Sequence, residues 1–497
     1  MQSLSSGSMP DQAQQVCTQC KTRKRKCDKA LPKCSTCSKR NFTCEYQRSS
    51  SSRNSTSASN QSWYIPTGDD GCGVQSIDFP TMLFLDPSTL QHGQVEISRA
   101  SLPVMGHILD LLGDMNDIHA TASKFFGHIH LWMPFVSKKR FYEIYLRSSF
   151  QSRPDVVVLL LSLRLITTLP PTSPQNPRTP LYHTAKHFYL EVEASSSFSI
   201  PVLQAGILLA LYELGHAIYP AAYLSIGACA RYAHAIGINV SSMVNTRRVL
   251  TLVEVEERRR VWWAIIILDR FVSIGCPGRP FATADPTLDD LLPADDAAWD
   301  QGIVRADDSF TLSSPMTGHM SKFALLCQAA RLLGQVLHNV SHGLANDDNA
   351  WMQLDRTLHS MVAASLNVDF PDYDQITFAY SALVALYTPC LYSKNVIGVD
   401  TDRSQRARIV IQQITEKILT NLVGQQCFLG RDPEGMAPWG LFFAYHVCGT
   451  HMRFTQTPES SQIVKCLKET FRAIDVRWNA AGVYLQLLEA HEAMNNF

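Results

Sequence analysis

The chain has 497 residues, and its 44 Lys and Arg are matched by 44 Asp and Glu, so the formal net charge is zero. A length of this order holds about three domains of ~150 residues, and 45% hydrophobic residues supply a large core. These figures exclude a chain that is basic throughout; attraction for a polyanion must come from a local concentration of charge. Residues 1–16 are polar, without the apolar stretch of a secretory signal. They are expected to form a disordered N-terminus.

Directly after them, six cysteines fall within twenty-eight residues: Cys17, Cys20, Cys27, Cys34, Cys37 and Cys44. The spacing is two copies of C-x2-C-x6-C joined by six residues. Between Cys17 and Cys44 the large apolar residues are Leu31 and Phe42. A segment this short cannot fold on so little burial; below about forty residues, disulfides or metal are usually needed. Disulfides need an oxidising compartment. Iron–sulfur clusters usually take four cysteines each, at other spacings. Structural zinc on thiolates contributes roughly 10–16 kcal/mol of apparent free energy that is coupled to folding. Two tetrahedral zinc ions need eight ligand positions, and six cysteines provide eight if two of them bridge. The repeat allows the first cysteine of each half to be the shared one, and on this reading Cys17 and Cys34 bridge. The residues between Cys20 and Cys27 read Lys-Thr-Arg-Lys-Arg-Lys, and residues 17–48 carry ten Lys or Arg against Asp28 and Glu45. Thiolates interleaved with cations point to a metal-folded module that binds nucleic acid.

This segment resembles the fungal Zn2Cys6 zinc-cluster transcription factors, including Pro32 in the spacer before the fourth cysteine. The resemblance implies two Zn2+ held by Cys17, Cys20, Cys27, Cys34, Cys37 and Cys44, with the first and fourth bridging. It implies a short helix after each C-x2-C turn and a basic helix end in the major groove of double-stranded DNA, at CGG-type triplets. The family's base-contacting pair falls on Arg23 and Lys24. Lysine is usual at both places, so Arg23 leaves the base preference open. Lys21, Arg25, Lys26, Lys33 and Arg40 are then assigned to phosphates.

Eight of the fourteen residues at 49–62 are Ser, and no core can be made from them. Residues 49–100 read as a flexible linker. Many relatives place a coiled coil here, but residues 45–75 hold no sustained apolar heptad. From residue 101 the apolar residues take helical spacing, most clearly over 102–113, 155–168, 203–219, 222–237, 253–274, 320–340, 351–366, 375–395, 404–424, 438–454 and 461–491. Proline pairs and single prolines, Pro180 and Pro220 among them, punctuate these segments. Glu213, His216 and Pro220 interrupt the apolar stretch 201–229, and no uncharged run within it reaches the roughly 18–20 residues that span a bilayer. The fold class is a small Zn2Cys6 binuclear cluster module (17–48), a flexible Ser-rich linker, then a large all-α regulatory domain (101–497).

Within that domain, residues 254–280 read EVEERRRVWWAIIILDRFVSIGCPGRP. On a helix Glu254 and Arg258, and Glu256 and Arg260, are i,i+4 pairs, and Trp262 and Trp263 supply core bulk. The string resembles the middle homology region of the same regulators, with Trp-Trp, Leu268-Asp269-Arg270 and Gly278-Arg279-Pro280. HLWMPFVSKKRF at 130–141 resembles its start, and the likeness covers about 120–400.

Other chemistry is sparse. His128 with His130 and His183 with His187 have metal-compatible spacing but no acidic or cysteine partner in the motif, and sixteen histidines produce such pairs by chance. No P-loop, G-x-S-x-G or dinucleotide motif is present, which argues against an enzyme. Residues 285–308 hold eight Asp and only Arg305 in opposition, with Leu288, Leu291, Leu292, Trp299 and Ile303 between them. Such a mix resembles an activation segment but reads better as an acidic surface loop. The resemblance implies a nuclear regulator of RNA polymerase II transcription, most readily a pathway-specific activator of a secondary-metabolite gene cluster. Its partners would be DNA, the transcription machinery and a second copy in a homodimer, with no membrane. Alternatives are a regulator of nutrient catabolism, a repressor, a small-molecule sensor or enzyme-like helical domain, or an interaction scaffold whose basic cluster serves nuclear import.

Overall fold

The computed structural model describes residues 16–40, 42–44, 102–147, 150–171, 176–195, 198–238, 250–305, 310–314, 320–341, 348–367, 372–392, 400–418, 433–454 and 457–495. The chain divides into two compact units, Met1–Phe79 and Pro80–Phe497. The expected disordered N-terminus, the linker over 49–100 and the missing coiled coil after Cys44 fall almost wholly outside the described residues.

The first unit contains two five-residue helices, α1 (Thr18–Thr22) and α2 (Ser35–Lys39). Its interior is Cys17, Cys20, Cys34 and Cys37, against which Cys27, Cys44 and Phe42 pack.

The regular secondary structure described for the second unit is helical, apart from one isolated bridge between Leu291 and Thr311. Its main helices are α3 (Gly106–Leu112), α4 (Met115–Gly127), α5 (Pro154–Thr167), α6 (Pro180–Ala194), α7 (Ile200–Gly215), α8 (Ala221–Ala235) and α9 (Leu252–Val272). They continue as α10 (Lys322–Ser341), α11 (Asp348–Leu366), α12 (Tyr373–Tyr392), α13 (Asp400–Ile418), α14 (Gly440–Phe454), α15 (Pro458–Asp475) and α16 (Asn479–Asn495). Local chemistry sets their starts. Asp114 with Asp117, and Thr251 with Glu254, form reciprocal capping boxes on α4 and α9. Proline stands in the first turn of α5, α6, α7 and α15, where its missing N–H costs nothing.

Every residue of α7 is buried, so this helix is the spine of the unit. It packs on α5, α8 and α9; α9 leads to α10, α10 to α12, α12 to α14, and α14 through α15 to α16. The last helix returns to α7. There His216 Nδ1 lies 3.0 Å from the Asn479 side chain, and the Trp478 ring lies so close to Gly215 that a Cβ would stand 2.2 Å from it. Gly215 is fixed by that approach rather than by backbone conformation.

Helix α9 carries charge into the core. Glu256, Arg260, Asp269 and Arg270 are all buried. Arg260 pairs with Glu256 at 2.8 Å and Asp296 at 2.7 Å, donates to the Ala294 carbonyl, and stacks 4.1 Å from the Trp299 ring. Arg270 pairs with Asp269 and Asp285, while Asp269 accepts from Thr283. Burying a charge is costly unless it is paired in this way.

The sequence reading needs one addition and two corrections. Helices α4 and α6 lie outside the clearest apolar periods; their starts are marked by the Asp114–Asp117 capping box and by Pro180, which punctuates the chain by opening a helix. The expected helix 461–491 is two helices, split where Arg477 and Trp478 turn inward. Arg477 donates to the Ile166 carbonyl and Trp478 Nε1 to the Met436 carbonyl, so tertiary bonds replace the helical register. The acidic stretch is not a bare loop. Its Asp296–Asp300 segment is a helical turn capped by Asp295, and Leu292 and Trp299 are fully buried.

Candidate metal centre and nucleic-acid interface

The six cysteine sulfurs fall into two quartets, Cys17, Cys20, Cys27, Cys34 and Cys17, Cys34, Cys37, Cys44; within each, the sulfurs all lie within 4.8 Å of one another. The quartets share Cys17 and Cys34, the two cysteines expected to bridge. Cys17 Sγ lies 3.7 Å from Cys34 Sγ, and Cys20 Sγ lies 3.7 Å from Cys34 Sγ. Sulfurs at ~2.3 Å from a tetrahedral zinc stand about 3.8 Å apart, so the spacing is that of ligands around a metal and far from a disulfide. Burial pushes the Cys17, Cys20 and Cys37 thiols up to about 12. Burial also opposes ionisation of Cys27, but hydrogen bonds from the Cys17 and Lys29 backbone outweigh it and bring it to about 7. Buried sulfurs this close become thiolates together only beside a concentrated positive charge, which two divalent ions supply. The donor set therefore fits a binuclear zinc cluster.

The backbone repeats with a shift of seventeen residues. Cys17 and Cys34 precede α1 and α2 in extended conformation. The Arg25 N–H donates to the Cys20 carbonyl at 2.9 Å, and the Phe42 N–H donates to the Cys37 carbonyl at 3.0 Å. Sulfur also takes backbone donors: the Cys34 N–H points to Cys44 Sγ and the Cys37 N–H to Cys34 Sγ. The two halves are tied together away from the sulfurs. Asp28 accepts the Ser35 N–H at 3.0 Å and the Ser35 hydroxyl, which holds the Asp28 carboxyl below its usual range. The Thr36 hydroxyl donates to the Lys26 carbonyl at 3.0 Å.

Two equivalent halves carry unequal charge. Lys21, Arg23, Lys24, Arg25 and Lys26 are all exposed on the first half. The second half has Ser38, Lys39 and Arg40 at the places of Lys21, Thr22 and Arg23. Lys33 and Arg40 are also exposed. All seven cations expected to touch DNA are thus on the surface of the unit, five of them at the end of α1 and in the turn beyond it. Lys24 takes a left-handed φ of 48°, which turns the chain out of α1. The Arg23 guanidinium is stacked 4.1 Å from the Phe42 ring, a contact between halves that the spacing did not signal.

His130 is buried with Nε2 2.8 Å from Asp300 and its ring stacked on Trp299, and His187 sits 3.2 Å from Glu191 on the surface of α6. Among the described residues, the cysteine quartets are the groups that could hold a metal ion. No helix of the described residues is long and apolar enough to cross a membrane.

Residues 15–53 match the fungal Zn(2)-Cys(6) binuclear cluster domain, which carries two zinc ions, and residues 122–363 match the fungal specific transcription factor domain. The chain is 36% identical over 152 residues to transcription factor BOA15 of Botryotinia fuckeliana, covering 30% of this chain and 84% of that one. It is 45% identical over 53 residues to the arabinolytic transcriptional activator araR of Emericella nidulans, covering 10% of this chain and 6% of that one. It is 25% identical over 262 residues to the pigment biosynthesis transcriptional activator pigB of Monascus ruber, covering 50% and 46%. No solved structure matches.

Proposed function

The chain belongs to the fungal Zn(2)-Cys(6) transcription factors, DNA-binding regulators rather than enzymes, and from that membership we propose that it is a nuclear, pathway-specific activator of a biosynthetic gene cluster transcribed by RNA polymerase II. The observation that carries the activator reading is the match to a pigment-biosynthesis activator over half the chain, because it extends well beyond the cluster. The match to an arabinolytic activator favours nutrient catabolism, but it spans only 53 residues.

In this reading Cys17, Cys20, Cys27 and Cys34 hold one zinc ion, and Cys34, Cys37, Cys44 and Cys17 the other. The ions supply folding free energy to a unit that has almost no apolar core. The protein's part is to fix the short helices around the sulfurs and so to aim the end of α1. Arg23 and Lys24 read base edges in the major groove of a CGG-type triplet, where an arginine or lysine pairs with guanine O6 and N7. Lys21, Arg25, Lys26, Lys33 and Arg40 hold phosphates and set register without reading sequence. A single module of this kind buries roughly 600–1,000 Å² of protein on DNA, which supports a homodimer on paired triplets. The domain layout follows: cluster at 17–48, linker at 49–100, helical regulatory domain at 101–497.

Selection of sites from randomised DNA with the full chain tests the first half of the proposal, with CGG-containing sites expected. Transcript profiling after removal of the gene tests the second. Loss of transcripts from one contiguous set of biosynthetic genes is expected; loss of sugar-catabolic transcripts instead would overturn it.

A further inference from the structure

DNA binding leaves one feature of the helical unit without a use. A cavity of about 550 Å³ opens between the start of α8, the turn after α9, the start of α14 and the outer face of α16. This is the size of small-molecule sites, which are mostly apolar with a few placed polar groups. Phe271, Leu441, Phe442, Val483 and Tyr484 wall it, and Tyr219 stands at its edge. Tyr219, Val483 and Leu487 remain 47%, 42% and 44% exposed, so apolar surface is left open around the mouth.

The polar group is Arg279, from the Gly-Arg-Pro turn that the sequence singled out. Gly278 has φ +95°, a conformation that side chains resist, and it turns the chain so that Arg279 lines the cavity. Tyr223 braces the turn: its hydroxyl donates to the Pro280 carbonyl at 3.1 Å, and its ring lies 5.6 Å from the Arg279 guanidinium. Arg140, Arg153, Arg260 and Arg270 each have a carboxylate within ion-pair distance. Among the described residues Arg279 has none. The cavity thus offers an aromatic and aliphatic wall with a five-donor cation at its edge.

We propose that this cavity is an effector site for a small, largely apolar aromatic molecule bearing one anionic group. The ring system would lie between Phe271, Phe442 and Tyr484, and the anion would take a charge-assisted pair from Arg279. Such a ligand would touch α8, α9, α14 and α16 at once and would bind only the folded helical unit, so it would stabilise that unit by mass action.

The test uses the full, zinc-loaded chain and two probes of the same shape, the anionic 1-anilinonaphthalene-8-sulfonate and the uncharged N-phenyl-1-naphthylamine. Both are expected to bind saturably at one site and to slow alkylation of the exposed Cys276 thiol, which lines the cavity, as read by peptide mass spectrometry. Arg279→Leu is expected to weaken the sulfonate probe roughly tenfold and to leave the uncharged probe unchanged. Val483→Trp is expected to fill the cavity and abolish both; Leu487→Trp serves if circular dichroism finds the first variant unfolded. Absence of saturable binding overturns the proposal. So does binding that survives cavity filling, or an equal loss of both probes in Arg279→Leu, which would mark a merely structural arginine.

Discussion

In the first unit the buried centre is four cysteine side chains with Phe42 beside them. In the second it is a continuous apolar core from Ile108 to Leu488, threaded by α9 with its paired arginines. The difference is one of scale. About thirty residues cannot remove enough apolar surface from water to offset their chain entropy, whereas α7 alone buries sixteen residues in succession. Charge follows the same division. In the helical unit cations of α9 are drawn inward and satisfied by Glu256, Asp269, Asp285 and Asp296. In the cysteine unit Lys21, Arg23, Lys24, Arg25, Lys26, Lys33 and Arg40 are left exposed. One chain thus folds one part by metal and keeps most of its described cations exposed, and folds the other by burial and pairs the cations of α9 internally.

The sharpest way to break this comparison is to remove the metal. A strong chelator should cost the cysteine unit roughly 10–16 kcal/mol of apparent stabilisation and abolish DNA binding, while the helical circular dichroism of the full chain stays. Native mass spectrometry should count two zinc ions per chain. Cys17→Ala or Cys34→Ala should lose both ions, and Cys20→Ala or Cys44→Ala chiefly one. A single zinc in the wild-type chain would sink the binuclear assignment.

The converse perturbation is Trp263→Ala. The ring is fully buried and its Nε1–H donates to the Leu291 carbonyl at 2.9 Å. Truncation should destabilise the helical unit by about 3–5 kcal/mol, measured by urea unfolding. Zinc content should not change. A variant of normal stability would show that this core is not what holds the unit together.

A smaller effect separates the cations of the first unit from one another. Arg23→Ala or Lys24→Ala should cost about 1–3 kcal/mol for the cognate base and flatten selection at that position. Lys26→Ala or Arg40→Ala should weaken all sequences alike and reduce the salt slope by about one. Full sequence preference in the Arg23 and Lys24 variants would refute the base-reading assignment.

The first unit was legible because its fold is written in spacing: the cysteines, the repeat of C-x2-C-x6-C and the basic run all lie within twenty-eight residues. The stacking of Arg23 on Phe42 was not, since it joins residues whose proximity only the sulfurs create. In the second unit, long apolar periods gave α5, α7, α9 and α10. Helices α4 and α6 were visible only in their caps, at Asp114 with Asp117 and at Thr179 with Pro180. The break between α15 and α16 had no local signal, because Arg477 and Trp478 turn inward to partners at Ile166 and Met436. The cavity beside Arg279 was equally hidden, being lined from four helices far apart in sequence.

The smallest expected effect concerns the acidic stretch 285–308, of which residues 306–309 lie outside the described set. An activation segment must present Leu and Trp to a partner while acidic neighbours keep them solvated. Here the apolar residues are spent on the domain itself. Leu292 and Trp299 are fully buried, the Leu292 N–H donates to the Phe310 carbonyl at 2.8 Å, and Asp285 and Asp296 are held by buried arginines of α9. Leu288 and Ile303 are 52% and 49% exposed, and they are the large apolar side chains of the stretch most open to a partner. Leu288→Ala with Ile303→Ala in the full chain should therefore change stability by no more than about 0.5 kcal/mol per site and leave reporter output unchanged. A fusion of residues 281–312 to an unrelated DNA-binding domain is a weaker test, because it frees Leu292 and Trp299 from a core that occupies them in the intact protein. If the double variant loses activation while thermal stability holds, the segment acts through its exposed face, and charge in the helical unit is not wholly consumed by folding after all.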